Sequence, residues 1–281
     1  MIPNRHNTLI LVVTYNPDLT TLNNIKSHCE ITDNVLVVDN GSDAESIKCI
    51  TESRLDHCKY IKSSENKGIA WALNHGIIYA REQGFKFLLT FDQDSSPVPN
   101  ILDLYASVIS ENDSIRCIGT QYTDKDISKT VKIDFIDSLT VITSGCLSSL
   151  DIYDTIGLYN EMLFIDSVDF DFSLSVKKAG YRIVRSVQPL IKHHLGTPRK
   201  RFGITTTNHN VFRRYYQVRN HIYITRKYLW DFPGFVLKKN YFFLDAMIRM
   251  IIADDNRIDK IKAAKKGFMD GLSLKIIGKK C

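Results

Sequence analysis

Four apolar segments, each closed by polar residues, frame the first hundred positions. Leu9-Ile10-Leu11-Val12-Val13-Thr14-Tyr15 stops at Asn16-Pro17-Asp18, and Asn34-Val35-Leu36-Val37-Val38 stops at Asp39-Asn40-Gly41-Ser42-Asp43. The short Tyr60-Ile61 precedes Glu65-Asn66-Lys67-Gly68, and Phe85-Lys86-Phe87-Leu88-Leu89-Thr90-Phe91 ends in Asp92-Gln93-Asp94-Ser95. Runs this continuous read as strands covered on both faces. Helical spacing fills the gaps: Leu19 to Cys29, Ala44 to Glu52, and Ile69, Ala72, Leu73, Gly76, Ile77 and Ala80. Strand and helix alternate, which predicts an α/β fold with a mainly parallel central sheet, helices on its faces and right-handed crossovers.

Beyond Pro97 the pattern predicts a helix to about Ser110, a strand over Ile115 to Thr120, and two further strands over Lys129 to Ile133 and Leu139 to Ile142. A short helix or turn follows at Ile152 to Gly157. The acidic-aromatic stretch Phe164-Ile165-Asp166-Ser167-Val168-Asp169-Phe170-Asp171-Phe172 opens a helix that stops at Gly180. Tyr181 to Val184 is a strand, and His193-His194-Leu195-Gly196 comes after it. The last third is rich in Arg and Tyr from Asn208 to Tyr228. It then offers an apolar helix over Phe235 to Ile252, a charged stretch from Asp259 to Lys266 and an amphipathic one from Phe268 to Ile277. The organisation expected is a catalytic domain over 1–228, with a nucleotide half over about 1–97 and an acceptor half over 98–228, followed by a basic helical extension over 229–281.

Charge sharpens this division. The net charge of +6 is the sum of −8 over residues 1–191 and +14 over residues 192–281. The acidic part suits a metal; the basic part suits an anionic surface such as lipid headgroups, phosphates or nucleic acid. Tyr241 to Ala253 is interrupted by Asp245 and Arg249, and no run reaches the roughly 20 apolar residues of a spanning helix. The start, Met1 to Asn7, leads straight into a strand, so no secretory leader is expected. Cys29, Cys49, Cys58, Cys117, Cys146 and Cys281 form no Cys-x-x-Cys pair, so free thiols in a reducing compartment are expected.

Candidate chemistry gathers at element ends. In open α/β sheets ligands sit beyond the carboxyl ends of strands. Asp92 and Asp94 fall there, spaced to meet one hard cation through oxygen ligands and leave it room for phosphates. The same residues also fit a polar turn closed by Pro97. Asp39 can accept from a ribose hydroxyl or a base N–H, or, with Ser42, cap the next helix. Asp169 and Asp171 complement a helix N-terminus, yet a carboxylate among Tyr159, Phe164, Phe170 and Phe172 also gains the basicity of a general base. His193 and His194 fit either a metal site or a structural hydrogen bond.

Taken in order, these pieces resemble the inverting GT-A glycosyltransferases of family 2, and among them the bacterial rhamnosyltransferases of surface-polysaccharide (O-antigen) assembly. The resemblance rests on Val13 to Pro17, Val37 to Ser42, Asn66-Lys67-Gly68-Ile69-Ala70 with Ala72, Asn74 and Gly76, Phe91 to Ser95, Ser144-Gly145, the Asp166 to Asp171 run with Gly180-Tyr181, His193 to Gly196, and Tyr215-Tyr216 with Arg219-Asn220. The Asp-Gln-Asp-Ser form points to rhamnose. The resemblance implies that Thr14, Tyr15, Asn16, Asp39, Asn66, Lys67, Gly68 and Gln93 line the nucleotide-sugar site. It implies that Asp92 and Asp94 bind Mg²⁺ or Mn²⁺ and the donor diphosphate, joined by His193 or alternatively His194. Asp169 falls at the catalytic base, with Asp166 the alternative because Val168 stands where the family commonly has a second acid. Ser144, Gly145, Asp171 and Arg219 would lie on the acceptor side. The implied donor is dTDP-L-rhamnose, with a UDP-hexose or another deoxysugar as alternatives. The implied acceptor is a saccharide on a polyprenyl diphosphate.

Arg213, Arg214, Arg226, Lys227, Lys238 and Lys239 beside Phe235, Phe242, Phe243, Met247 and Ile251 suit a helix lying on an anionic bilayer. The expected setting is cytoplasmic, peripheral at the inner face of the membrane. A nucleotidyltransferase would carry a Gly-rich loop after the first strand, where Thr14-Tyr15-Asn16-Pro17 stands instead. A nucleic-acid-binding role for the basic third leaves the acidic clusters without a purpose, so no nucleic-acid partner is expected.

Overall fold

The computed structural model describes residues 1–53, 55–112, 114–127, 133–193 and 199–277. The chain divides into two compact units, Met1–Met162 with Phe172–His194, and Leu163–Asp171 with Leu195–Cys281. The expected boundary at 228/229 therefore falls inside the second unit.

In the first unit, β1 (Thr8–Thr14), β2 (Val35–Asp39), β3 (Cys58–Lys62) and β4 (Phe87–Asp92) form the parallel half of the sheet in the order β3-β2-β1-β4. The crossovers run through α1 (Leu19–Ile31), the short α2 (Lys48–Thr51) and α3 (Ile69–Glu82). Every residue of β2 is buried, as are Leu9 to Val12 and Phe87 to Leu89, as uninterrupted apolar runs require. Helix α2 is shorter than expected because the Asp43 carboxylate turns the chain back, accepting from the Glu45 and Ser46 N–H groups.

The remaining strands are β5 (Ser95–Pro97), β6 (Ile115–Thr123), β7 (Phe135–Asp137), β8 (Cys146–Ser149) and β9 (Arg182–His193), with α4 (Ile101–Glu111) and α5 (Ile152–Ile156) between them. They extend the sheet as β4-β8-β6-β9-β5, with β7 also on β9. Only β6 and β9 run parallel here; β4–β8, β6–β8, β5–β9 and β7–β9 are antiparallel. Leu139 to Ile142 is not a strand: the Ser173 hydroxyl takes both the N–H and the C=O of Val141, in place of a ladder. Most of the strand expected over Lys129 to Ile133 lies outside the described residues, as do His194 and Cys281. The Tyr181 to Val184 strand continues for twelve residues, through a register shift at Pro189, and ends on His193. Helix α6 (Val168–Lys178) starts within the inserted segment Leu163–Asp171.

The second unit holds the hairpin β10 (Arg199–Arg201) with β11 (Ile204–Thr206), absent from the expectations, and helices α7 (Val211–Tyr228), α8 (Pro233–Ala253) and α9 (Arg257–Ser273). Asn210 caps α7 by accepting from the Arg213 N–H. Two glycines set the approach of α9 to α7: a Cβ at Gly267 would lie 2.5 Å from the Tyr215 carbonyl, and one at Gly271 2.7 Å from that of Arg219. No described helix is long and apolar enough to cross a membrane.

Candidate active site

The strand-end loops of the first unit are tied together by side-chain hydrogen bonds. Asp39 is fully buried. It accepts from the Thr14 hydroxyl at 3.1 Å, from the Ser42 N–H at 2.9 Å and from the Ser42 hydroxyl. Ser42 in turn accepts from the Asn16 N–H at 2.7 Å. The Asp39 carboxylate thus faces its own loop and fixes the shape of the Thr14–Asn16 turn. Asn40 bridges to the third loop: its amide donates to Asn66 Oδ1 and its carbonyl accepts from the Lys67 N–H. Asn66 Oδ1 also accepts from the Gly68 N–H, and the Lys67 ammonium sits 5.4 Å from the Trp71 ring centre. Gly41 permits the close approach, since a Cβ there would lie 2.2 Å from the Glu65 carbonyl carbon and its φ is +83°. Gln93 closes the group, accepting from the Tyr15 N–H at 2.7 Å and, through its backbone carbonyl, from Asn24. Tyr15 itself stays half exposed.

Asp92, Asp94 and His193 converge beside these loops, with one potential ligand atom from each lying within 4.8 Å of the others. Antiparallel pairing of Ser95 with His193 brings them together. Asp94 Oδ1 is covered and accepts no hydrogen bond, and it lies 3.2 Å from His193 Nδ1. His193 is pushed above its ordinary pKa, first by its contact with Asp94 and then by the charges of both aspartates against the opposing effect of burial. A covered carboxylate oxygen without a donor, beside a second acid and an imidazole, can hold a divalent cation. A chain of buried hydroxyls supports the group. The Asp92 N–H donates to Ser144 Oγ, Ser144 Oγ donates to Ser95 Oγ, and Ser95 Oγ lies 2.6 Å from His193 Nδ1. Gly145, at φ +73°, carries the backbone past Thr120 and Ile191. Ser144 and Gly145, expected on the acceptor side, therefore brace the aspartates.

The acids of the second unit lie on a loop of unusual backbone. Phe164, Asp166 and Ser167 all adopt positive φ, between 59° and 64°, without being glycine. Such strain persists only where the surroundings fix it. Asn220 of α7 fixes it here: its buried amide nitrogen lies 2.6, 2.7 and 2.9 Å from the carbonyls of Leu163, Ile165 and Asp166. Both Asp166 oxygens are taken by Arg213 in a bidentate pair at 3.0 Å. Asp171 is held by Lys227 at 2.7 Å and by the Tyr228 hydroxyl at 2.8 Å. Asp169 differs from both. Burial lifts its carboxyl to about 6, against the pull of the Phe170 N–H and Lys239. Lys239 lies 3.5 Å from the centre of the Phe170 ring. Arg219, expected to meet an acceptor, stacks on Tyr215 and Tyr216.

The family model "Glycosyl transferase family 2" matches residues 9–160, just over half of the chain. The chain belongs to glycosyl transferase family 2. Its sequence is 31% identical over 244 residues to the "dTDP-rhamnosyl transferase RfbF" of Shigella flexneri, covering 79% of this chain and 80% of that protein. Solved structures share the fold at low identity. The mannosyltransferase PcManGT of Pyrobaculum calidifontis, in complex with GDP-Man and Mn²⁺, is 13% identical with a TM-score of 0.58, over 98% of this chain and 78% of that one. GalNAc-T7 with UDP, GalNAc and Mn²⁺ is 12% identical with a TM-score of 0.62, over 97% of this chain and 56% of that one. This glycosyltransferase is therefore rhamnosyltransferase-like in sequence and GT-A in fold.

Several features of this family 2 enzyme escaped the sequence reading. The Ser95–Ser144 relay depends on strand pairing. The placing of Lys239 beside Asp169 depends on helix packing across some seventy positions. Asn220 alone left a trace, next to Arg219 in a motif of known shape but without an assigned contact.

Proposed function

We propose that this enzyme transfers L-rhamnose from dTDP-L-rhamnose, with inversion, to a saccharide carried on a polyprenyl diphosphate. The observation that carries the donor is the likeness, over four-fifths of both chains, to a dTDP-rhamnosyl transferase. In this reading the interlocked loops at Thr14–Asn16, Asp39–Ser42 and Asn66–Gly68 receive the nucleotide, with Asp39 acting through the turn it holds and Tyr15 offering an exposed ring. Asp92, Asp94 and His193 would hold Mg²⁺ or Mn²⁺, which when bound supplies positive charge to the departing dTDP. Asp169 takes the proton from the attacking acceptor hydroxyl. Its raised basicity suits that task near neutral pH, whereas Asp166 is already committed to Arg213.

The second unit also favours a place on the inner face of the membrane. Leu237, Leu244 and Ile248 of α8 are 57–65% exposed, and α9 presents Ile258, Phe268 and Leu272 beside exposed Lys262, Lys265 and Lys266.

The test is transfer by the purified protein from dTDP-L-rhamnose, with Mn²⁺ or Mg²⁺, to a lipid-linked acceptor. Asp94→Ala is expected to lose metal-dependent dTDP binding. Asp169→Asn should keep that binding and lose transfer. Absence of both transfer and dTDP release across a panel of acceptors rejects the reading, and an active Asp169→Asn enzyme moves the base elsewhere.

A further inference from the structure

The second unit holds a half-open pocket of about 370 Å³, a size that accommodates a small ligand or the head of a larger one. One wall is apolar, made by Phe170, Phe243, Met247 and Met250. The pocket lining also includes Arg214, which is only 5% exposed. Its guanidinium makes one loose contact, 3.5 Å from Nη2 to Asp254 Oδ2. That carboxylate oxygen is held more closely by Lys260, at 2.9 Å. Arg214 Nε is buried and has no hydrogen-bond partner. A guanidinium has five N–H donors, and leaving them desolvated and unmatched is costly. Lys239, on the same cavity, makes no salt bridge among the described residues within 4.0 Å, though it feels Asp169 and Asp166. Around the cavity, two cations share Asp254 and one takes both oxygens of Asp166. With Arg213, Arg214, Lys239 and Lys260 set against Asp166, Asp169 and Asp254, one positive charge is in excess, and Asp254 Oδ1 is itself buried without a partner.

A buried, under-satisfied Arg with a Lys nearby matches a phosphate, whose oxygens accept in the paired geometry that a guanidinium offers. The apolar lining residues Phe243, Met247 and Met250 match a hydrocarbon chain. We infer that this cavity binds the phosphate or diphosphate head of an amphiphile, with Arg214 and Lys239 on the head and Phe243 and Met247 against the first carbons of the tail. Taking that amphiphile to be the acceptor carrier rests on the proposed function; the binding itself does not. Asp166, Ser167 and Phe170 also line the cavity, so a bound head would touch the same strained loop that carries Asp169.

The experiment is calorimetric titration of the protein in EDTA, which silences metal-dependent binding at Asp92 and Asp94. The probes are geranyl diphosphate and inorganic pyrophosphate. Geranyl diphosphate is expected to bind, and more tightly than pyrophosphate. Lys239→Met and Arg214→Met should each weaken it by on the order of tenfold or more, the value of a lost charge-assisted hydrogen bond. Because Arg214→Met removes a buried charge partner, its fold is checked by the urea transition of the second unit, and Lys239→Met decides the matter if that check fails. Undetectable binding of geranyl diphosphate, or binding unchanged in Lys239→Met, overturns the inference. Equal affinity for both probes overturns the amphiphile and leaves a free-phosphate site. Failure of rhamnosyl transfer with geranyl diphosphate binding intact rejects the donor assignment alone.

Discussion

Replacing Asn220 tests how the acidic loop is held. Its amide nitrogen carries two hydrogens and meets three carbonyls at 2.6 to 2.9 Å, so two full bonds are spread over three acceptors. Asn220→Ala removes both. Each buried carbonyl left without a donor costs about 1–3 kcal/mol, and three left-handed residues lose the clasp that confines them. Water entering the vacated space recovers part of this, which leaves an expected loss of about 2–4 kcal/mol. Asn220→Asp is the sharper variant. It keeps the volume but offers oxygens where donors are needed, so its loss should equal or exceed that of Asn220→Ala. Urea denaturation, analysed for the transition of the second unit, reads both. If Asn220→Asp stays within about 0.5 kcal/mol of the wild type, the clasp contributes volume only and the argument fails. Transfer should fall in both variants while Mn²⁺-dependent dTDP binding stays.

Four other outcomes follow from the structure. Transfer should rise with pH through about 6 as Asp169 ionises, a limb that vanishes when proton transfer no longer limits the rate. Because burial raises that carboxyl, ionised Asp169 weighs against folding above about 6 and not below its unfolded value near 4; Asp169→Asn should therefore raise the melting temperature at pH 8 and leave it little changed at pH 4. Gly267→Val should lower the urea midpoint by about 2–3 kcal/mol equivalent, since its Cβ alone would lie 2.5 Å from the Tyr215 carbonyl; an unchanged midpoint would show that α9 can slide. Asp94→Ala should abolish the melting-temperature rise that Mn²⁺ with dTDP gives the wild type, as binding to the native state stabilises it.

The parallel half of the sheet was readable because its strands are covered on both faces and carry unbroken apolar runs. β8, β7 and the hairpin of β10 and β11 were not, because short strands of mixed character take their structure from partners far along the chain. Val141 shows the limit: an apolar residue in an apolar run, drawn out of any ladder by one serine. At the site, residue types and order exposed Asp92, Asp94, His193 and Asp169 as candidates. They did not reveal what each carboxylate already holds. Asp39, Asp166 and Asp171 look alike in sequence, yet a loop serine, an arginine and a lysine with a tyrosine occupy them. Asp94, whose covered oxygen faces His193 at 3.2 Å beside Asp92, and Asp169, lifted by burial, differ from them.

The segment Leu163–Asp171 belongs to a unit whose other residues begin at Leu195, and the clasp on Asp166 comes from a residue 54 positions later. During synthesis the nucleotide-facing strands and loops exist well before Asn220 does. Domains tend to form in the order they are made. A growing chain therefore acquires Asp92, Asp94 and His193 first, while the loop carrying Asp169 waits for α7, and α7 for the glycines of α9. Donor capture and proton removal become competent at different moments. Under the proposed function, a half-made chain would recognise the nucleotide before it could act on an acceptor.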